Sequence, residues 1–310
     1  MGAAVALAWA FPEVGAKGGS LHPELTNKLG VSLIFFLHGL MLSFEALAAG
    51  TRKWRVHLVI QASTFIMFPL VGMLLLALAP RADSELRSGL LFLCAAPSTV
   101  SSSVALTAAA RGNVPVAVFN ATLSSLLGVV LTPMWLGLVL ETSGSALPLG
   151  SVVLDLALWL VLPLVVGQAL RPLLGALARR YEASVNVLDR LTILLLVYTS
   201  FCDSVKGGVW ASGARPLSLA LVAAVLLLGA ALSATWLLGR ACGFERADRI
   251  ATLFCGSKKS LAAGVPMARV IFGAQPGLAL ILLPIMIYHP LQLVVGGWLA
   301  GRFRARTPPG

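Results

Sequence analysis

Hydrophobic residues run along this chain in long, nearly continuous blocks rather than in strict alternation. Two blocks, VPVAVFNATLSSLLGVVLTPMWLGLVL (114–140) and PLSLALVAAVLLLGAALSATWLLG (216–239), carry no charge at all. Each exceeds the roughly 20 residues that an α-helix needs to cross a bilayer. Continuous apolar runs argue against a transmembrane barrel, whose strands alternate between lipid-facing and lumen-facing residues. The pattern predicts an all-α, polytopic membrane protein with ten helices, near 1–13, 28–48, 56–79, 88–110, 114–140, 151–171, 187–206, 216–239, 248–273 and 277–301. The connections are short, which leaves no room for a soluble domain. The end of the chain, 303–310, reads as a short basic tail.

Composition agrees with the pattern: 58% of the 310 residues are hydrophobic, 11% are charged, and the mean hydropathy is +0.91. Such a balance excludes an ordinary soluble domain. The formal charge of +11 needs no nucleic-acid partner. If both termini are cytoplasmic, 14 of the 23 Lys and Arg residues lie on the cytoplasmic side, 6 lie outside and 3 (Lys258, Lys259, Arg269) fall within the ninth helix. This positive-inside bias predicts a cell-membrane protein with a basic rim against anionic lipid. The four cysteines, Cys94, Cys202, Cys242 and Cys255, lack metal-site spacing and read as small buried hydrophobes.

Ten helices divide into two fives, and an odd number per half turns the second half upside down in the membrane. Segments 91–112 and 252–273 align with Cys94 over Cys255, Val104 over Val265 and Gly112 over Gly273. Both are interrupted at the centre, the first by Pro97 and a run of hydroxyls, the second by Gly256, two lysines, Gly264 and Pro266. Paired broken helices in corresponding places point to a transporter's midplane site. The expected organisation is therefore a first inverted repeat over 1–140 and a second over 151–302. The apolar part of the first helix, about 12 residues, is short for a crossing, so the chain is expected to begin inside helix one.

Several stretches, taken together, resemble the bile acid:sodium symporter family, solute carrier family ten. They are FFLHGLMLSFEAL, RKWRVHLVIQASTFIMFPL, PSTVSSSVALTAAARGNVPVAVFNATLSSLLGVVLTP, YTSFCDSV, LFCGSKKSLAAGVPMARVIFG and LPIMIYHPLQL. The likeness is greatest to the branch that holds bacterial sodium-dependent transporters and the seventh vertebrate member. It covers the chain from about residue 10 onward and implies a panel domain and a core domain, with helices four and nine unwound where they cross. It also implies uptake of a small organic anion, with Na+ held by polar groups at the breaks. Carried over position by position, Ser102 and Ser103 fall where the family has a Ser-Asn pair, Asn113 follows Gly112, and Asn120 and Ser124 are the polar candidates of helix five. Gln61 or Thr64 corresponds to a sodium-site glutamine. Ser102, Ser103 and Asn120 form the candidate sodium set.

The chain departs from the family in helix nine, where an acidic residue and a glutamine are replaced by GSKKS. An ammonium offers only donors and repels a cation, so the sodium site is either lost or rebuilt elsewhere. With helix nine starting near residue 248, Lys258 lies roughly 15 Å along its axis, near the midplane. A charge facing lipid there costs about 2.5 to 3.5 kcal/mol. Two placements avoid that cost. In one, Lys258 or Lys259 reaches the gap between Ser101 to Ser103 and the helix-nine break at Ser260, replacing a cation or meeting an anionic substrate. In the other, the helix begins near Ser260 and the lysines snorkel to the surface.

The hydroxyls Ser98, Thr99, Ser101, Ser102, Ser103 and Thr107 are either ligands or groups bonded to their own helix. Asp203 is expected either to form an ion pair with Lys206 or to carry a proton, Glu45 to pair with Arg52 and Lys53, and His38 and His289 to be neutral and hydrogen-bonded rather than to relay protons. No nucleophile–base pair at helical spacing and no HExxH motif is present, so an enzyme is not expected. The expected activity is secondary transport of a small organic anion, with Na+ as the possible coupling ion and no other cofactor. The alternatives are an oxyanion (arsenite) efflux carrier that uses Cys94, and a non-transporting regulator of calcium or sodium handling.

Overall fold

A computed structural model of the chain describes residues 2–41, 52–78, 83–141, 149–206, 213, 215–273 and 277–305. Glu45 and the last residues of the basic tail lie outside them. Every regular element among the described residues is helical. In chain order these are α1 (Gly2–Ala10), α2 (Pro12–Gly15), α3 (Pro23–Met41), α4 (Trp54–Leu78), α5 (Ser84–Ala95), α6 (Ser101–Ala109) and α7 (Val114–Glu141). They continue with α8 (Leu149–Leu156 running on through Ala157–Val161 and Leu162–Arg180), α9 (Glu182–Lys206), α10 (Arg215–Ala241), α11 (Arg246–Gly256), α12 (Leu261–Phe272) and α13 (Leu278–Ala305).

Six helices among the described residues are long and apolar enough to cross a bilayer: α4, α7, α8, α9, α10 and α13. The remaining expected spans differ from continuous helices in separate ways. The first is divided between α1 and α2, and α3 runs up to residues outside the description. The fourth and ninth are each broken at the centre, into α5–α6 and α11–α12. Proline explains the first of these central breaks, because Pro97 has no N–H and disfavours helical geometry at the residue before it. Ala96 is accordingly extended, with ψ 149°.

Proline also shapes two long helices without breaking them. In α4 a five-residue π-turn, Ser63–Met67, precedes Pro69, and in α8 a similar turn, Ala157–Val161, precedes Pro163. The missing proline N–H lets the ladder shift by one residue, so that Phe68 N–H bonds the Ser63 carbonyl and Leu162 N–H the Ala157 carbonyl.

The helices pack as two groups. α3 lies along α8, α1 and α2 lie on α9, and α9 also touches α3. The other group joins α4, α5, α7, α10, α11 and α13. The α3–α8 contact is close because Gly39 and Gly167 face the opposite backbone. A methyl group at Gly39 would collide with the Leu164 carbonyl, and one at Gly167 with the Phe36 carbonyl. Such small residues let helices approach in a membrane, where packing rather than water drives association.

Candidate functional site: the paired helix breaks and the crevice beside them

The two breaks meet. α5 ends at Ala95 and α11 at Gly256, each one residue beyond the cysteines that align in the sequence, Cys94 and Cys255. Four residues beyond those cysteines, Ser98 and Lys259 occupy matching places and make matching contacts. Ser98 Oγ donates to the Cys255 carbonyl at 2.7 Å, and Lys259 Nζ donates to the Cys94 carbonyl at 2.6 Å. Their backbone N–H groups each donate at 2.9 Å to a side-chain oxygen of the following long helix, Ser98 to Ser124 Oγ in α7 and Lys259 to Gln292 Oε1 in α13. Thus each half-helix end, which would otherwise leave buried carbonyls unpaired, is satisfied by the opposing break. A direct backbone bond, Ser260 N–H to the Pro97 carbonyl at 2.8 Å, closes the crossing.

Both lysines are buried, Lys258 at 2% and Lys259 at 0% exposure, which excludes snorkelling. Neither approaches the Ser101 to Ser103 gap in the expected way. Lys259 turns to the far side of the break, where Nζ donates to the carbonyls of Thr64 (2.9 Å), Cys94 (2.6 Å) and Ala96 (2.8 Å) and lies 4.2 Å from the centre of the Phe68 ring. Lys258 Nζ donates to the Gln292 carbonyl at 3.1 Å, with the Phe254 ring 5.8 Å away. Among the described residues no carboxylate pairs with either ammonium.

The expected polar residues divide between two places. Ser101 and Ser102 line the open crevice, whereas Ser103 is buried, bonded to Thr99 Oγ1 (3.0 Å) and donating to the Phe254 carbonyl (3.3 Å). Ser260 caps α12 by accepting from Ala263 N–H at 3.1 Å and also faces the crevice. Asn120 belongs to another cluster, with His57 Nδ1 2.7 Å from its Nδ2 and Gln61 Nε2 donating to its Oδ1 and backbone carbonyl, each at 3.1 Å. Gln61 Oε1 is buried with no hydrogen-bond partner. The polar atoms of Ser102, Ser103 and Asn120 are thus engaged in separate networks rather than converging on one ion.

Two adjoining cavities of about 520 and 440 Å³ lie between the helix groups and share Phe35, His38, Val100, Ser101 and Ser125. The first is mostly apolar and reaches Met41, Glu182 and Val185; the second adds Thr99, Ser102, Arg190, Ser260 and His289. The positive ends of the α6 and α12 dipoles begin at this second wall. Both cavities are lined by residues from the second half of α3 and the first half of α9. A buried cluster joins α12 to α9: Arg269 lies 3.5 Å from Asp203 and donates to Ser200 Oγ (2.9 Å) and Thr199 Oγ1 (2.7 Å), while Lys17 N–H donates to Asp203 (2.7 Å). Asp203 therefore pairs with Arg269; Lys206 instead pairs with Glu13 at 2.6 Å.

Asp248 is 3% exposed and accepts from Lys53 Nζ (2.9 Å) and Asn113 Nδ2 (2.7 Å). This ties the start of α4 and the α6–α7 turn to the start of α11. The hydrogen bond to Asp248, and then its charge, hold the Lys53 ammonium above its ordinary pKa.

Sequence reasoning missed Gln292 and Tyr288. Gln292 Nε2 donates to the Lys259 carbonyl at 2.8 Å while its Oε1 takes the Lys259 N–H, so one side chain pairs both backbone groups of that residue. Tyr288 Oη donates to the Ser257 carbonyl at 2.7 Å. The available signal was their position in IYHPLQL, a polar cluster inside an otherwise apolar helix.

Apolar helices long enough to span a bilayer, with two broken helices joined beside an open crevice, are the build of a multi-pass membrane transporter. The chain belongs to the SBF-like CPA transporter family, whose profile matches residues 1–305. It is 45% identical to an uncharacterized protein of Pseudomonas aeruginosa, over 91% of this chain and 85% of that one. It is 40% identical to YfeH of Escherichia coli K12, over 92% of this chain and 86% of that one. Sodium/bile acid cotransporter 7 of Danio rerio is 36% identical, over 96% of this chain and 92% of its own. The bile acid:sodium symporter resemblance read from the motifs is therefore sound, and the relatives that carry functional names are carriers rather than enzymes.

Proposed function

We propose that the chain is a secondary active transporter of a small organic anion, with ten spans in two inverted five-helix repeats and both termini on the cytoplasmic side of the cell membrane. The matched bonds of Ser98 and Lys259 support the inverted repeat. α1, α2, α3, α8 and α9 form the panel, the remaining helices form the core, and the substrate crosses as one moves against the other.

The observation that carries the reading is the second cavity. Its wall combines the Arg190 guanidinium, the starts of α6 and α12, and the hydroxyls of Ser101 and Ser260. Every one of these groups offers a donor or positive potential to an anion, while the adjoining apolar cavity accepts a hydrocarbon body. Coupling through Ser102, Ser103 and Asn120 as one sodium site is not part of this reading, since their polar atoms are held by Thr99, Phe254, Gln61 and His57. The oxyanion alternative relied on Cys94, whose thiol is fully buried beside Gly72 and lines neither cavity.

Uptake into proteoliposomes of a labelled bile acid and of aliphatic and aromatic carboxylates tests the proposal. Saturable uptake is expected, with Arg190→Ala raising KM by about tenfold for a contact of roughly 1.4 kcal/mol. Absence of flux above protein-free vesicles for every anion would refute transport and favour a regulatory role.

A further inference from the structure

The Thr64, Cys94 and Ala96 carbonyls converge on one point between α4 and the end of α5. Each is left over from its own helix for a local reason. In α4 the π-turn sends Phe68 N–H to Ser63, and the next residue, Pro69, has no N–H, so the Thr64 carbonyl has no intrahelical donor. At the end of α5, Ser98 N–H goes to Ser124 Oγ instead of to Cys94. Ala96 lies in the extended break itself. Three buried carbonyl oxygens, those of Cys94 and Ala96 at the negative end of the α5 dipole and that of Thr64 from the π-turn of α4, make a cation cage, the kind of site that unwound backbone forms in transporters.

We propose that Lys259 is the permanent occupant of this cage, a cation built into the chain that stands where a diffusible alkali ion would otherwise bind. Its nitrogen lies 2.6 to 2.9 Å from all three oxygens. Three carbonyls need three N–H donors, which the protonated ammonium has and the neutral amine does not. The Phe68 ring, 4.2 Å from the nitrogen, adds a further face that favours a cation. Residue 259 is completely buried, so the ammonium cannot leave for water without opening the break. A sodium ion at this point would have to displace a covalently tethered competitor whose effective concentration far exceeds that of any free ion. The carrier therefore does not bind sodium at the crossing of its broken helices, and the tethered charge holds the crossing together throughout the cycle. This deepens the transport reading by excluding sodium as a coupling ion at this place.

The test is thermal stability of the purified protein in detergent, which requires no flux and so stands apart from the transport assay. Sodium is titrated against choline at fixed ionic strength, and methylammonium in the same way. The unmodified protein is expected to show no sodium-specific or methylammonium-specific rise in Tm. Lys259→Ala, with its cage vacated, is expected to melt lower and to recover Tm with rising methylammonium, because a ligand bound only to the folded state stabilises it by mass action. Lys259→Met, which fills the stem volume and leaves less room for an ion, is expected to recover less. A sodium-specific rise in the unmodified protein overturns the proposal, and that arm holds even if neither variant folds. A folded Lys259→Ala that responds to neither methylammonium nor sodium overturns it as well. Anion flux that proves independent of a sodium gradient supports both readings, whereas absent flux with the expected Tm pattern removes only the transport reading.

Discussion

The Asp203 carboxylate and the Arg269 guanidinium stand 3.5 Å apart, joining α9 to α12 with side chains only 8% and 7% exposed. The pair ties α9 to α12, and any motion that parts these two helices here must separate it. Breaking a buried pair by removing one partner costs about 3 to 5 kcal/mol, because the remaining charge stays buried. Arg269→Gln is therefore expected to lower Tm and to expose the neighbouring Cys202. In a Cys242→Ser background, faster labelling of Cys202 by a membrane-impermeant maleimide checks this; unchanged labelling would show that the pair does not shield Cys202.

Gln292 and Ser124 supply the matching acceptors for the two breaks, yet they differ in load. Gln292 serves both the N–H and the carbonyl of Lys259, whereas Ser124 serves only the Ser98 N–H. With about 1 to 3 kcal/mol per buried group left unpaired, Gln292→Leu is expected to destabilise more than Ser124→Ala. Denaturation of the two variants in the same detergent ranks them, and equal losses would contradict the assignment.

Asp248 gathers α4, the α6–α7 turn and α11 through Lys53 and Asn113. Asp248→Ala strands two partners and is expected to cost on the order of 3 kcal/mol, since hydrogen bonds to charged groups are the stronger ones. Lys53 is 44% exposed and its charge is screened by solvent, so Lys53→Ala is expected to cost much less. Chemical denaturation distinguishes the two, and a Lys53 effect as large as that of Asp248 would argue against the buried carboxylate as the hub.

Gly39 and Gly167 put the α3 and α8 backbones in contact. Gly167→Ala forces the helices apart, and overpacking of this kind costs about 1 to 3 kcal/mol. Gly229, by contrast, has open space around the position of an added methyl. Gly229→Ala is expected to be neutral or mildly stabilising through helix propensity. A thermal melt of each variant separates these outcomes.

Much of the architecture was legible because the bilayer imposes it. Apolar runs near 114–140 and 216–239 became α7 and α10 with boundaries shifted by a few residues at most. The breaks were readable because Pro97 and the GSKKS stretch interrupt otherwise regular blocks, and the Cys94–Cys255 alignment located their ends to within one residue. The site was less legible. Lys258 and Lys259 were marked as important by the cost of burying a charge, but the acceptor groups of Lys259 are backbone carbonyls, which exist at every position and carry no signature in residue type. Only the π-turn before Pro69 and the diversion of Ser98 N–H to Ser124 make those carbonyls available.

By itself the sequence determined the solvent, the helical class and the places where helices fail, because these depend on local composition, hydrogen-bonding capacity and the length needed to cross lipid. Tertiary structure alone decided the partners. Asp203 has Lys206 three residues away but pairs with Arg269, and Asn120 turns to His57 and Gln61 instead of Ser102. Chain proximity does not fix partnership in a helix bundle, where each side chain reaches whatever its helix face presents, and burial makes the best-shaped contact outweigh the nearest charge.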